Sequence, residues 1–415
     1  MISRGYLYKL KPTPAQASLF AQFAGVCRLI YNIALEQRRD HWQAYRRATG
    51  NGISYVGQAR ELTELRRDYD WIAAVHVTPQ QQALRDLDRA YQNWFKGIAR
   101  YPSPRKRGRN DTFRFQGREI ETRSLNGSWS EVRLPKIGWV RFRDTRPLRG
   151  KINNVTISLA SNGWHIAFSL AIEHEAPANI APAVGIDRGV SNTLSLSTGE
   201  HISVPASLAD LDHRQRKAQR VLSRRKRGSR RYAKARRRVA ALSARRGRIR
   251  RDWHHRASFD LSRRFGTVVI EDLNTRNMTG SARGTLAEPG TNVRQKAGLN
   301  RSILNQGWHL FETLLAYKLE EQGGALVKVP AHNTSRTCFA CGAVDSRSRK
   351  NQANFVCTAC GHRDHADINA AKVILRRNTA SMLVEEGHRA SVEARTIGEA
   401  KRQTGNLRPS GRGRC

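Results

Sequence analysis

The chain has 415 residues, 39% of them hydrophobic, with 74 Lys and Arg against 34 Asp and Glu, a formal net charge of +40. That length and apolar content exclude a wholly disordered chain and ask for more than one domain. The charge favours a polyanionic partner, whose counterions are released on binding. Only 15 of the 74 cations are Lys. Arg offers a planar fork suited to phosphates and guanine edges. Neither the opening MISRGYLYKLKPTP nor any later stretch reads as a signal or membrane-spanning segment, so a soluble intracellular (cytoplasmic) protein is expected.

In chain order, RGYLYKLKP alternates and predicts a strand over 3–11. TPAQ at 13–16 supplies a helix start, with Thr13 as N-cap, Pro14 at the first helical position and Gln16 completing a capping box. The pattern is then helical to about residue 100, and Leu84, Leu87, Tyr91 and Trp94 fall on one apolar face. YPSPRKRGRN breaks the helices. The alternating segments TFRFQ, GWVRFRD, INNVTISLA and WHIAFSLAI follow as strands of a small sheet or barrel. EAPANIAPA at 175–183 reads as a linker.

VGIDRGVSNTLSLSTG predicts strand, turn, strand. Residues 214–251 then hold 19 Lys or Arg. Ala235, Val239, Leu242, Ile249 and Trp253 keep a thin seam there, predicting two helices broken near Gly228 with a basic outer surface. RRFGTVVIEDLN is a buried strand ending in acids, and 279–293 is a Gly-rich loop. LNRSILNQGWHLFETLLAYKLEEQG predicts one helix ending at Gly323–Gly324, and ALVKVP a strand. Beyond Arg377 the chain loses periodicity and reads as a disordered basic tail.

Four of the six cysteines form two pairs, Cys338-x2-Cys341 and Cys357-x2-Cys360, separated by fifteen residues. Each second cysteine is followed by Gly. Two such knuckles predict a tetrahedral four-sulfur zinc site of ribbon type, closed and structural. Cys27 and Cys415 stand apart. The carboxylates form a second pattern. Asp187 and Glu271 end apolar runs, and Asp364 and Asp367 precede a helix. Acids at the ends of buried strands are costly unless something binds them. Three from separate segments could converge on divalent cations that clamp both oxygens of a phosphodiester. Asp272 should point away from Glu271.

VGIDRGVSNTLSLSTG, VVIEDLNTRNM, GLNRSILNQGW, TSRTCFACG and CGHRDHADINAAKVI together resemble the TnpB family, RNA-guided endonucleases of insertion sequences related to type V CRISPR effectors. The motifs run in family order over 181–375. Arg336 stands where glutamine is common and Val373 where asparagine is common. The resemblance implies an α+β multidomain protein. A RuvC-like (RNase H fold) α/β nuclease domain would occupy 181–337 and 361–377, with the basic hairpin at 207–257 and an inserted zinc ribbon at 338–360. A wedge-like N-terminal β-barrel would take 1–11 and 101–180, and a helical recognition insertion 12–100. It implies a catalytic triad of Asp187, Glu271 and Asp367 holding two Mg2+ ions, and one structural Zn2+ on Cys338, Cys341, Cys357 and Cys360. It further implies a guide RNA from the element's own end, double-stranded DNA cut beside a short flanking motif, no membrane partner, and a monomer.

Gln80, Gln81 and Gln82, whose amides suit base edges, are candidates for contacts near that flanking motif. Arg105, Lys106, Arg107 and Arg109 are candidate phosphate contacts. Three other readings compete. A guided repressor would lack catalytic acids. A cut-and-paste transposase would order its acids Asp-Asp-Glu, and a Tyr-type relaxase would space its two histidines, whereas His254 and His255 are adjacent. A miniature CRISPR effector shares the chemistry and differs only in a neighbouring repeat array.

Overall fold

A computed structural model describes residues 2–46, 50, 52–285 and 287–378; the expected basic tail and Cys415 lie outside them. The chain divides into two compact units, Met1–Glu175 with Lys226–Ala244, and Ala176–Arg225 with Arg245–Cys415. The first division falls inside the EAPANIAPA segment.

The first unit is built on seven strands: β1 (Ile2–Lys11), β2 (Thr112–Gln116), β3 (Glu121–Asn126), β4 (Trp129–Leu134), β5 (Gly138–Arg143), β6 (Lys151–Ala160) and β7 (Gly163–Ile172). They pair antiparallel in the order β2-β6-β7-β1-β5-β4-β3. Strand β7 shows the expected period of two, burying Trp164, Ile166, Phe168 and Leu170. Among the described residues β2 and β3 pair with no further strand, so the expected barrel is a sheet with two open edges.

Helix Pro14–His41 starts on the foreseen capping box, Gln16 N donating to Thr13 Oγ1 (3.2 Å) and Thr13 N to Gln16 Oε1 (3.0 Å). Its Phe20 and Phe23 meet Phe113 across ring centroids of 5.7 and 5.3 Å. Helix Val77–Phe95 buries Leu84, Leu87 and Tyr91 in the same core, with Trp94 packed against it. Helices and sheet therefore share one hydrophobic core, where the sequence reading separated them into two domains. One expectation needs correction. The helix over Pro14–Tyr45 is long and apolar enough, by length and composition, to cross a membrane. It serves instead as a core helix, with nine buried residues from Phe20 to Leu35.

The second unit contains β8 (Ala183–Asp187), β9 (Leu194–Leu196), β10 (His201–Ile202), β11 (Thr267–Glu271) and β12 (Ala325–Val329). The sheet order is β10-β9-β8-β11-β12. Strands β8, β11 and β12 run parallel, and β9 and β10 are antiparallel additions at one edge. Val184 and Ile186 of β8 and Val268 and Ile270 of β11 face one side, in a core with Leu261, Phe311, Leu315 and Leu319. The alternate residues face the other side, where Val269 packs with Val329 and Ile374. Ile374 belongs to a helix over 366–378.

The basic stretch forms helices Ser207–Ser223 and Arg230–Arg264, and Gly228 takes φ +86° between them, as its spacing predicted. The single helix expected over 299–323 is broken into Val293–Gln306 and Trp308–Glu321. Gly307 makes the break at φ +71°, where a Cβ would stand 2.9 Å from His254 Nε2.

Candidate metal centres

Strand order places the first two acids. Ile186 of β8 lies opposite Ile270 of the parallel strand β11. Asp187 and Glu271 are the next residues of each strand, so they project from neighbouring carboxyl ends, about 4.8 Å apart in strand spacing. Both belong to the face opposite the Val184–Ile186 core. The helix over 366–378 covers that face closely. A Cβ on Gly185 would stand 2.1 Å from Ala371 O, so only glycine lets the helix backbone lie on β8 at this point. That approach carries in the third acid, Asp367, in the helix's first turn.

Asp187 feels both of the other carboxylates. Burial pushes the Asp187 carboxyl up to about 7, and the charges of Glu271 and Asp367 add to the rise. Burial also raises Glu271, partly countered by a hydrogen bond from Thr334 Oγ1 to Glu271 Oε1. Asp367, only 5% exposed, accepts from Arg349 Nη2 at Oδ1 (2.9 Å) and from Asn192 Nδ2 at Oδ2 (3.1 Å). Arg188, beside Asp187, donates instead to the Glu271 carbonyl and pairs with Glu312 at 3.4 Å. Asp272 points away, 3.7 Å from Lys328. Asp364 pairs with Lys372 at 2.7 Å and takes no part in the cluster.

The cysteine pairs come together as their spacing requires. Their four sulfurs all lie within 4.8 Å of one another. Cys338 Sγ is 3.7 Å from Cys360 Sγ, and Cys341 Sγ is 3.6 Å from Cys357 Sγ. A tetrahedral ion with metal–sulfur bonds of about 2.3 Å needs sulfurs about 3.8 Å apart, so the set fits one. Gly342 and Gly361, at φ +79° and +73°, turn each knuckle. Backbone N–H groups led by that of Cys360 pull the Cys357 thiol down to about 6, while burial raises the Cys338 thiol and, against a backbone hydrogen bond, the Cys341 thiol raises that of Cys360.

The proposed nucleic-acid contacts fare unevenly. Gln80 is fully buried, and its amide nitrogen donates to the Ile72 and Val75 carbonyls (2.9 and 3.0 Å), so it braces a helix start and cannot read a base. Gln81 and Gln82 are half-buried. Arg105 is held by Asp86 at 2.9 Å and stacked 4.0 Å above Tyr31, which removes it from the free phosphate contacts. Lys106, Arg107 and Arg109 are exposed. The sequence reading missed Arg188, Asn192, Thr334 and Arg349, whose partners lie far along the chain. Their one local signal is that Arg188 and Asn192 flank the turn after Asp187.

A relative from Escherichia coli (strain K12), "Putative RNA-guided DNA endonuclease InsQ", is 35% identical over 388 residues, 92% of this chain and 94% of its own length. The chain belongs to the TnpB family. A "Putative RNA-guided DNA endonuclease" from Streptomyces pristinaespiralis is 32% identical over 406 residues, 96% of this chain and 95% of its own. Residues 167–282 match the family described as "Probable transposase", and 308–374, with the four cysteines, match the "Cas12f1-like, TNB domain". Residues 1–47 match a "Helix-turn-helix domain". The described part of that TnpB segment is a strand followed by a long helix. Among solved structures, a Cas12f1–sgRNA–target DNA complex aligns with a TM-score of 0.57 at 15% identity, covering 87% of this chain and 83% of that one. That likeness speaks to the fold.

Proposed function

We propose that this TnpB-family chain is an RNA-guided DNA endonuclease of a transposable element, with Asp187, Glu271 and Asp367 as the residues that hold two catalytic Mg2+ ions. The observation that carries the proposal is the meeting of three acids from separate segments on one face of the β8–β11 pair, with Asp187 pushed up to about 7 by burial and then by the charges of Glu271 and Asp367. Divalent cations bound there would offset those charges and act on the attacking and leaving oxygens of a phosphodiester.

The chain's own groups prepare the site. Thr334 fixes one oxygen of Glu271, and Arg349 and Asn192 fix the two of Asp367, so two of the three acids are oriented in advance. Asp187 accepts no such side-chain bond among the described residues and is the acid freest to adjust on binding. Cys338, Cys341, Cys357 and Cys360 are read as the ligands of one structural Zn2+, in a ribbon inserted before the last acid. The mixed β10-β9-β8-β11-β12 sheet, with acids at adjacent parallel strand ends, supports the RuvC-like reading of the second unit.

Base pairing by the guide would read target sequence, while the protein reads duplex shape and a short flanking motif. Lys106, Arg107 and Arg109 are offered as phosphate contacts, and Gln81 and Gln82 as contacts near that motif.

The test is to express the chain with its flanking element DNA, isolate it, and sequence the RNA that comes with it. A discrete RNA from the element's end, supporting cleavage of a matching DNA in Mg2+, is the expected result. Heterogeneous cellular RNA shed at moderate salt, with no guided cleavage, would overturn the proposal.

A further inference from the structure

The GLNRSILNQGW motif has no part in the metal centres. It forms much of helix Val293–Gln306, which with helix Ser207–Ser223 and the Arg245–Arg264 part of helix Arg230–Arg264 lines a half-open cavity of about 570 Å³ within the second unit. That is the size of pocket that takes a nucleotide-sized group and too small for a duplex. The lining is cationic and amide-rich. Arg216 and Arg301 line it with no ion-pair partner among the described residues, while Arg246, also on the wall, is committed to Asp212. Gln215 lines it too. It is 9% exposed, and its carbonyl oxygen finds no hydrogen-bond partner. A buried amide oxygen left unmatched is destabilising, and a ligand donor can satisfy it.

Gly298 gives the cavity its room. Glycine inside a helix is less stable than alanine. No backbone crowding demands it here, since a Cβ would meet only the tip of Arg301, at 4.0 Å. What the missing side chain leaves is space beside the two unpaired guanidinium groups.

We propose that this cavity binds the phosphates of an unpaired nucleic-acid stretch. Arg216 and Arg301 hold the phosphates, and the amide of Gln215 meets the sugar or base edge. Two guanidinium forks facing one concave wall suit phosphodiester oxygens, and the buried amide selects a ligand that also carries donors. The strand could be guide RNA or unpaired target DNA, a choice that rests on the nuclease reading.

The experiment measures binding of full-length protein to a labelled 30-mer of uridine RNA and one of thymidine DNA, without Mg2+, across a salt series. For single strands each lost phosphate contact makes the log K against log salt slope shallower by about 0.7, so Arg216→Gln with Arg301→Gln should change it by about 1.4. Gly298→Leu removes no charge and intrudes into the space beside the two guanidinium groups, and should produce a like change. Ser302→Leu, on the same wall, serves if the first plug fails to fold. A change with RNA alone assigns the site to the guide, and with DNA to the target strand. Wild-type slopes in the plugged variant, whatever the arginine variant does, overturn the proposal, because the arginines would then act only as diffuse charge. Guided cleavage of the wild type is scored separately, so failure of the nuclease reading is told apart from failure of the pocket.

Discussion

Replacing Asp187 by Asn should make the Mg2+-free protein more stable while abolishing cleavage. The carboxyl is pushed from 3.8 to about 7 in the folded chain, first by burial and then by Glu271 and Asp367. A rise of about three units corresponds to about 4 kcal/mol of destabilisation once the group must ionise. The sign follows from where the proton is held. Below about pH 4 the group is protonated folded and unfolded, and no penalty exists. Between about 4 and 7 only the folded state keeps the proton, so stability falls as pH rises, and above 7 the full penalty stands. Asn has the shape and none of the charge. By the same linkage D187N should exceed wild type by about 4 kcal/mol at pH 8 and by about 2 kcal/mol at pH 5. Urea unfolding followed by tryptophan fluorescence measures this, in buffer free of Mg2+ but without a chelator strong enough to strip the thiol site. Added Mg2+ should stabilise wild type at pH 8 far more than D187N. Equal stabilities at pH 8, or a gap that does not narrow at pH 5, would refute the claim that these three carboxylates crowd one another.

Thr334→Val removes the hydroxyl from Glu271 Oε1. It should weaken Mg2+ affinity, raising the concentration for half-maximal cleavage, and slow the rate about 10–100-fold, read from a metal titration of the cleavage rate. Gly185→Ala sets a methyl 2.1 Å from Ala371 O. It should lift the helix over 366–378 from the sheet, costing about 1–3 kcal/mol by thermal melting and most of the cleavage. Cys357→Ser breaks the sulfur set; metal analysis should find zinc lost from the purified protein, and limited proteolysis should open the 338–361 segment first.

The acids stood out in the sequence because a carboxylate closing an apolar strand run is anomalous by itself, and the cysteines because their spacing is their geometry. What escaped detection depends on distant chain. Arg349 and Thr334 matter only through Asp367 and Glu271, and nothing local in RSRK or NTSR marks them. Gln80 looked like a free polar residue, but backbone carbonyls at Ile72 and Val75 claim it. The Gly307 break was missed because glycine within a helical pattern is tolerated unless the fold demands a positive φ, and here the demand comes from His254 on another helix.

The ribbon's place in the chain has a mechanical reading. Phe339, inside the first knuckle, donates its backbone N–H to Asn369 Oδ1 (3.0 Å), and Asn369 Nδ2 donates to Thr337 O (2.8 Å). Asn369 is two residues from Asp367 and fully buried. Arg349, between the two cysteine pairs, holds Asp367 directly. The four-sulfur module thus touches the third acid twice, through its helix and through its carboxylate. A small module with little apolar core depends on its metal for a fixed shape. Zinc loss should therefore disturb Asp367 even though no sulfur touches it, and the cost should appear in Mg2+ affinity before it appears in the stability of the β8–β11 sheet. This gives a physical reason for placing the four-cysteine segment immediately before Asp367.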